Sequence, residues 1–367
     1  MPTNPAPNFP APCYKGPIHF GTDSTCGPFN PPQKLMLMRT KKSAGEPLRA
    51  SLVGVPGNEI VPGATVGVAH AADGTALRYA IWGEEMRAPK GTVCLLQGRG
   101  EFIEKHFETI ADLLSMGYAV AALDWRGQGG SQRLTANPRK GHIGSFKQYD
   151  DDLQAFITQA VLPDCPPPYF GLGHSMGGNV LINAAIKRNW FEKVVVTSPL
   201  IDLAGDGLPR GLMKLAATFA KATGFSRSQV PVPSGGGFAA WDFPDNPFTG
   251  DITRFERTKQ VIEEAPELAV GRVTFGWVYA GLQAIDELAA VRKGTILRTP
   301  VLIVAAGRDR VVSTQACREF STRVANVSTI VLDGARHEIL LERDSYREQF
   351  WAAFKAFIHD QDPMVPL

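Results

Sequence analysis

Short apolar segments alternate with longer amphipathic ones from residue 64 onward, and this alternation predicts the fold. The first two apolar segments are joined by "AADGTA", which is typical of a β-hairpin turn. The later apolar segments are almost continuously hydrophobic, as expected for parallel strands that are buried on both faces. The eight predicted strands lie at 65–70, 77–82, 91–96, 118–124, 168–173, 193–198, 300–306 and 328–333.

Amphipathic segments lie between the later strands. In residues 103–117 apolar side chains recur at spacings of three and four, which places them on one face of a helix. Residues 149–161 carry aspartates near their start, where the helix dipole favours them. Residues 178–189 and 343–358 have similar character. An antiparallel start followed by β-α-β units predicts an α/β protein with a mostly parallel, eight-stranded sheet covered by helices.

One long interval breaks this alternation. Residues 200–297 contain a helical segment at 210–224, a glycine- and proline-rich stretch "VPVPSGGGF", and a second helical segment at about 277–292. The interval is too long for a simple connection and too poor in strand-like segments to extend the sheet. We therefore predict a mainly helical cap at 200–297, inserted into a core that comprises residues 49–199 and 298–367.

The beginning of the chain has a different composition. The opening "MPTNPAPNFPAP" predicts that residues 1–48 form a loosely packed tail, and a segment packed on the protein surface is the alternative. The opening lacks the basic and apolar regions of a secretory leader, and the run "LMLM" at 35–38 is too short to span a bilayer.

Composition narrows the class of protein. Hydrophobic residues make up 44% and charged residues 20% of the chain, which fits a soluble enzyme or binding protein. The formal net charge is only +2, so no global field recruits nucleic acid, and we expect no nucleic-acid partner. The five cysteines are widely spaced and odd in number, which argues against a disulfide framework or a zinc site and favours a reducing compartment. We expect a cytoplasmic protein, peripheral to the membrane if the cap contacts lipid.

The stretch "GLGHSMGG" at 171–178 carries the candidate chemistry. A lone G-x-S-x-G is a weak pattern in a chain with 37 glycines, but here it joins a predicted strand to a predicted helix. A turn this tight exposes the hydroxyl of Ser175 at the carboxyl edge of the sheet. A phosphate-binding loop is disfavoured because no G-K-[ST] follows, and a plain structural loop is the remaining alternative.

A serine hydroxyl becomes a nucleophile only beside a base that a third group orients. His337, in "DGARHEIL", follows the last predicted strand, and Asp309, in "AAGRDRVV", follows the strand before it. Both therefore belong at the same sheet edge as Ser175, in the chain order serine, aspartate, histidine. Asp202, after the sixth predicted strand, is the rival acid.

The predicted oxyanion hole consists of two backbone amides. Gly98, in "QGRGEFIEKH", lets the backbone turn so that the amide of Arg99 faces the pocket, and Met176 contributes the amide at the helix start. The Arg99 side chain is either a solvated charge or the partner of an anionic headgroup. Phe275 and Trp277 are candidate substrate contacts that line an acyl pocket, although aromatic residues at such spacing are often plain core.

The first cap helix repeats apolar residues at Leu212, Ala216, Phe219 and Ala220. Such a helix can make transient contact with a membrane surface and admit a lipid tail. The alternative is an ordinary cap helix packed on its own domain.

Six motifs in order resemble the lysophospholipase (L2-like) and monoacylglycerol-lipase branch of the α/β-hydrolase superfamily, with a serine aminopeptidase S33-type domain. They are "QGRGEFIEKH", "DWRGQGGSQR", "GHIGSFKQYDDDL", "GHSMGG", "GRDRVV" and "GARHEIL". The resemblance covers roughly residues 64–360 and implies an α/β-hydrolase fold with no metal and no organic cofactor. It implies Ser175 as nucleophile, Asp309 as acid, His337 as base, and the amides of Arg99 and Met176 as oxyanion donors. The sequence departs from the branch at position 97, where Gln97 stands in place of the histidine that monoacylglycerol lipases tend to carry.

Taken with the motifs, the resemblance implies a serine hydrolase that cleaves carboxylic esters of single-acyl-chain lipids through an acyl-enzyme. Its partner is then a small lipid ester. A short-chain carboxylesterase or a proline-type aminopeptidase is the enzymatic alternative, because related folds host both activities. A hydrolase-fold binding protein or receptor is the non-enzymatic alternative.

Overall fold

The computed structural model describes residues 49–205, 208–231 and 238–359, so the predicted tail at 1–48 lies outside the described residues. In the described part of the chain, eight strands form one open sheet with the order β1-β2-β4-β3-β5-β6-β7-β8. The strands are β1 (Thr65–His70), β2 (Ala76–Trp82), β3 (Thr92–Leu96), β4 (Ala119–Leu123), β5 (Tyr169–His174), β6 (Lys193–Thr197), β7 (Ile296–Ala306) and β8 (Ala325–Leu332).

The predicted mostly parallel sheet is confirmed. Strand β2 pairs antiparallel with β1 and with β4, and the remaining pairs are all parallel. Every residue of β3, β4 and β6 is buried, which explains their continuous apolar sequences. Strand β7 begins at Ile296, earlier than predicted, because its first residues alternate between exposed and buried and include Arg298 and Thr299.

Helices cover both faces of the sheet. The α-helices of the described residues, including those of the cap interval, are α1 (Phe107–Ser115), α2 (Lys147–Phe156), α3 (Leu162–Asp164), α4 (Ser175–Lys187), α5 (Arg210–Ala222), α6 (Ile252–Glu264), α7 (Phe275–Ala289), α8 (Thr314–Arg323) and α9 (Asp344–His359). Apolar residues of α2, α4, α7 and α8 pack on one face, and those of α1 and α9 pack on the other. The predicted helix at 103–117 is divided, because Ile103–His106 forms a 3-10 turn before α1.

The interval between β6 and β7 contains α5, α6 and α7, and its described residues add no strand to the sheet. Helix α5 packs against α7 through a face that includes the buried Ala217 and Ala220. Helix α6 lies within the stretch predicted as cap, but its helical character was not predicted, because only four of its thirteen residues are buried. In the described part of the chain, none of the helices combines the length and apolar character that a bilayer crossing requires.

Candidate active site

Ser175 is held in a strained turn between β5 and α4. Its φ angle is +50°, a conformation that residues other than glycine rarely adopt. The close packing after this turn requires glycine two residues later, because a Cβ on Gly177 would lie 2.1 Å from the carbonyl oxygen of Leu96. Helix α4 therefore begins in close contact with the end of β3, and the serine lies at the carboxyl edge of the sheet.

The structure brings Ser175, His337 and Asp309 together. The Nε2 atom of His337 lies 3.0 Å from Oγ of Ser175, and its Nδ1 atom lies 2.8 Å from Oδ2 of Asp309. The other carboxylate oxygen of Asp309 accepts hydrogen bonds from the amides of Val311, at 2.8 Å, and Val312, at 2.9 Å. These contacts fix the carboxylate, which in turn orients the imidazole toward the serine.

Electrostatics make His337 a stronger base than free imidazole. Burial by itself would lower the pKa of His337, but the charge and hydrogen bond of Asp309, together with the charges of Glu338 and Glu101, raise it above its ordinary value. Burial would raise the pKa of Asp309, but His337 and the two backbone amides lower it. The pair can therefore take a proton from the serine while the carboxylate stays ionised.

Other candidates from the sequence lie elsewhere. The carboxylate of Asp202 forms an ion pair with Arg210, at 3.2 Å, and has no contact with His337. The ring of His174 packs 4.8 Å from that of His337, centroid to centroid, and its Nδ1 atom lies 3.1 Å from Oγ1 of Thr197. Burial lowers the pKa of His174 to about 3, so this ring is neutral.

The two candidate oxyanion amides face the same space as Ser175. Arg99 and Met176 both line the cavity beside the serine. Neither backbone amide donates a hydrogen bond to another described residue. A Cβ on Gly98 would lie 2.9 Å from a carboxylate oxygen of Glu101 and 3.3 Å from Cβ of Ser175, so glycine allows this close approach of the loop.

The cavity at Ser175 has a volume of about 340 Å³. This volume lies in the range of small-molecule sites, roughly 300–1,000 Å³. Trp277 and Gly98 line the cavity, whereas Phe275 is outside its lining. Residues two positions apart on a helix point in different directions, so the first turn of α7 cannot present both rings to the same space. Apolar side chains from α5 and α7, including Met213, Val278 and Leu282, form much of the wall.

The guanidinium of Arg99 has no acidic partner among the described residues. Its Nη2 atom donates a hydrogen bond of 3.0 Å to the carbonyl of Gly271, and its charge lies 5.3 Å from the centre of the Trp277 ring. No carboxylate of the described residues forms an ion pair with it, and its Nε atom is buried without a hydrogen-bond partner. Burial without a counter-ion lowers the pKa of Arg99 to about 10.

A second buried polar group lies beside the site, and sequence reasoning missed it. Atoms of Glu101, His174 and Glu338 that could ligate a metal lie within 4.8 Å of one another. The ammonium of Lys105, however, lies 2.8 Å from Glu101 and 2.6 Å from Glu338, so a lysine supplies the cation between the two carboxylates. The signal in the sequence is the charged spacing in "GEFIEKH", which apolar neighbours conceal.

The sequence is similar to those of known lipid hydrolases. Lysophospholipase L2 of Escherichia coli (strain K12) is 30% identical over 264 residues, covering 70% of this chain and 76% of that protein. Monoacylglycerol lipase of Mycolicibacterium smegmatis is 24% identical over 275 residues, covering 73% of this chain and 88% of that protein.

Among solved structures, a soluble variant of monoglyceride lipase from Saccharomyces cerevisiae, in complex with a substrate analogue, matches with a TM-score of 0.63. It is 20% identical, and the match covers 80% of this chain and 95% of that one, which shows a shared α/β-hydrolase fold. The resemblance inferred from the motifs is confirmed. Residues 87–344 match the family described as serine aminopeptidase, S33 (Hydrolase_4), and because this match spans more than half of the chain, the protein belongs to that family.

Proposed function

We propose that the protein is a carboxylic ester hydrolase that cleaves single-acyl-chain lipids, of the lysophospholipase or monoacylglycerol-lipase type. One observation carries the proposal: the hydrogen-bonded chain from Ser175 through His337 to Asp309 lies against a mainly apolar cavity of about 340 Å³. A nucleophile with an oriented base has the parts that acyl transfer requires, and the cavity provides room for an acyl chain.

The reaction proceeds in two halves. Oγ of Ser175 attacks the ester carbonyl while Nε2 of His337 takes its proton, and the imidazolium then protonates the leaving alcohol. A water molecule, activated by the same nitrogen, hydrolyses the acyl-enzyme and releases the fatty acid. Asp309 holds the imidazole in the required tautomer and stabilises its positive charge in both halves.

The amides of Arg99 and Met176 donate hydrogen bonds to the oxyanion of each tetrahedral intermediate. Since both amides are unpaired among the described residues, they need not break a protein hydrogen bond to do so. Each such donor contributes about 10²–10³ in rate. The acyl chain lies along the apolar wall formed by α5 and α7.

The guanidinium of Arg99 favours the lysophospholipase type. A half-buried cation with no carboxylate partner among the described residues is incompletely compensated, and an anionic substrate group compensates it. The same residue supplies the oxyanion amide, so its guanidinium lies within one side-chain length of the scissile carbonyl. The phosphodiester of a lysophospholipid is separated from that carbonyl by a glycerol unit, which fits this separation. A monoacylglycerol has no charge to offer there.

Helix α5 provides the surface for transient contact with an anionic membrane. Leu212, Leu215 and Phe219 are exposed on one side of the helix, with Phe219 68% exposed. Of the residues named in the sequence repeat, Leu212 and Phe219 are exposed, whereas Ala220 is buried. The helix carries Arg210, Lys214 and Lys221 and no acidic residue, which fits an anionic lipid surface, although Asp286 of α7 pairs with two of these cations.

A labelling experiment tests the proposal. The protein should react with a fluorophosphonate probe and hydrolyse lysophospholipids in a lipid panel, and Ser175→Ala should abolish both signals. Absence of labelling in the unmodified protein would favour a binding protein instead. Cleavage of aminoacyl-naphthylamides in place of lipid esters would indicate a peptidase, and a preference for short-chain nitrophenyl esters would indicate a carboxylesterase.

The role of the Arg99 side chain is tested by comparing two substrates with the same acyl chain. Arg99→Met should lower kcat/KM for a lysophospholipid roughly tenfold more than for the matching monoacylglycerol, as expected for loss of one charge-assisted contact. Arg99→Lys should restore part of this preference. Equal losses on both substrates would confine Arg99 to its backbone role.

A further inference from the structure

Three buried charged side chains lie beside the Ser175–His337 pair. Glu101 and Lys105 are each 4% exposed, and Glu338 is 5% exposed. Charges this deeply buried are destabilising unless they pair with one another. Here the Nζ atom of Lys105 lies 2.8 Å from Glu101 and 2.6 Å from Glu338, so a single ammonium forms ion pairs with both carboxylates.

The two carboxylates belong to two of the loops that form the site. Glu101 follows β3, and its Oε2 atom accepts a hydrogen bond from the amide of Gly98, the residue before Arg99. Glu338 directly follows His337 in the loop after β8, and its backbone amide donates a hydrogen bond of 2.8 Å to a carbonyl of the cap interval. The lysine thus joins the loop of the oxyanion amide to the loop of the base.

We infer that Lys105 is a positioning residue that couples these two loops through Glu101 and Glu338. The inference rests on the proposed function, since it assumes that His337 is the base and that the Arg99 amide binds the oxyanion. Because Lys105 pairs with a carboxylate in each loop, it helps to set their separation, and this separation determines how well one geometry serves proton transfer and charge stabilisation together.

The same cluster acts on His337 electrostatically. Two carboxylates share the one ammonium of Lys105 beside the imidazole, and negative charge on them stabilises the imidazolium of each half-reaction. Asp309 faces the ring from the loop after β7, and the neutral His174 packs against it from the end of β5. The charges of Glu338 and Glu101 both raise the pKa of His337.

Glu338→Gln provides the first test, with lipid ester kinetics across pH as the readout. The substitution keeps the side-chain volume and the Lys105–Glu101 ion pair, but it removes one negative charge and weakens the contact between Lys105 and residue 338. We expect kcat to fall by roughly tenfold with KM nearly unchanged, since small displacements of reacting groups are costly. The acidic limb of kcat/KM should move to lower pH, because His337 loses a charge that raises its pKa.

Glu342→Gln is the matched control. Glu342 is also a buried glutamate near His337, but its carboxylate accepts backbone hydrogen bonds of 2.9 Å from Gly250, Arg336 and Arg343. Its loss should lower thermal stability and leave the acidic limb in place. An unmoved limb in Glu338→Gln, or a rise in KM with unchanged kcat, would overturn the inference, and the second result would assign Glu338 to substrate binding.

A double-mutant cycle provides the second test. Lys105→Met and Glu338→Gln both disrupt the Lys105–Glu338 ion pair. The double variant should therefore lose little more kcat than the worse single variant. Additive losses would contradict the coupling. If Lys105→Met does not fold, the kcat and the pH profile of Glu338→Gln alone test the inference. Ser175→Ala separates the two levels of failure: if it abolishes hydrolysis while the Glu338→Gln profile is unchanged, only the inference fails, and if hydrolysis persists, the proposed function fails as well.

Discussion

The Nε2 atom of His337 lies 3.0 Å from Oγ of Ser175, although 162 positions separate the two residues in the chain. The serine is the first residue of α4, and the histidine belongs to the loop after β8. Strands β5 and β8 are not neighbours in the sheet, since β6 and β7 lie between them. The contact therefore depends on the loop after β8 reaching back across the carboxyl edge, where Asp309 meets it.

Replacement of His337 by alanine tests this contact directly. We expect the catalytic rate to fall by about 10⁴-fold or more, because the serine loses the base that takes its proton. The fold should remain, since Asp309 keeps its hydrogen bonds from the amides of Val311 and Val312. Steady-state hydrolysis and a thermal unfolding curve measure the two effects. A loss of only a few-fold would mean that another group is the base.

The pH dependence of kcat/KM should follow His337. The imidazole must be neutral to accept a proton, and its pKa in the folded protein is raised above its ordinary value of 6.5. Activity should therefore fall as the pH drops through this raised pKa, with an acidic limb above that of free imidazole. A profile measured with a soluble ester checks the sign. A limb below pH 6.5 would contradict the arrangement of charges described around the ring.

Gly98→Ala should reduce turnover through geometry alone. The added Cβ would lie 2.9 Å from Glu101 and 3.3 Å from Cβ of Ser175, so the oxyanion loop must move away from the serine. A fall in kcat of about 10²-fold is expected, comparable to the loss of one oxyanion donor. Gly211→Ala is the control, because a Cβ there meets nothing within 4 Å. Similar kinetics for the two variants would show that the loop position does not matter.

Val278→Phe should shorten the preferred acyl chain. Val278 is partly buried on α7 and lines the cavity, so a larger ring at this position takes up space meant for the acyl chain. Hydrolysis of long-chain nitrophenyl esters should fall at least several-fold relative to the shortest ester. The ratio of the two rates within one variant corrects for any loss of folded protein. An unchanged ratio would place the acyl chain elsewhere.

Leu215→Gln combined with Phe219→Gln should weaken binding to anionic lipid vesicles. These side chains are 66% and 68% exposed, and each contributes apolar area to an interface with lipid. A loss of roughly ten- to a hundredfold in vesicle affinity is expected from this area. Hydrolysis of a soluble short ester should persist at the unmodified rate. Thr218→Gln, at another exposed position of the helix, is the control, and vesicle binding that survives the double substitution would make α5 an ordinary cap helix.

The central strands β3, β4 and β6 could be predicted because burial on both faces requires a continuous run of apolar residues in the sequence. Helices α6 and α8 left a weaker record. Helix α8 buries only Cys317 and Phe320 among its ten residues, so its sequence is mostly polar and resembles a loop. The start of β7 was missed for a related reason, because exposed and buried residues alternate there.

The sequence alone determined the order of strands and loops, and with it the edge of the sheet to which Ser175, Asp309 and His337 belong. Only the tertiary structure decided which side chains meet there. It turned Trp277 toward the cavity and Phe275 away, paired the guanidinium of Arg99 with no acid in the described part of the chain, and placed Lys105 between Glu101 and Glu338. The physical reason is that local patterns report whether a position is buried, whereas a contact between distant residues depends on how the whole sheet and its loops pack.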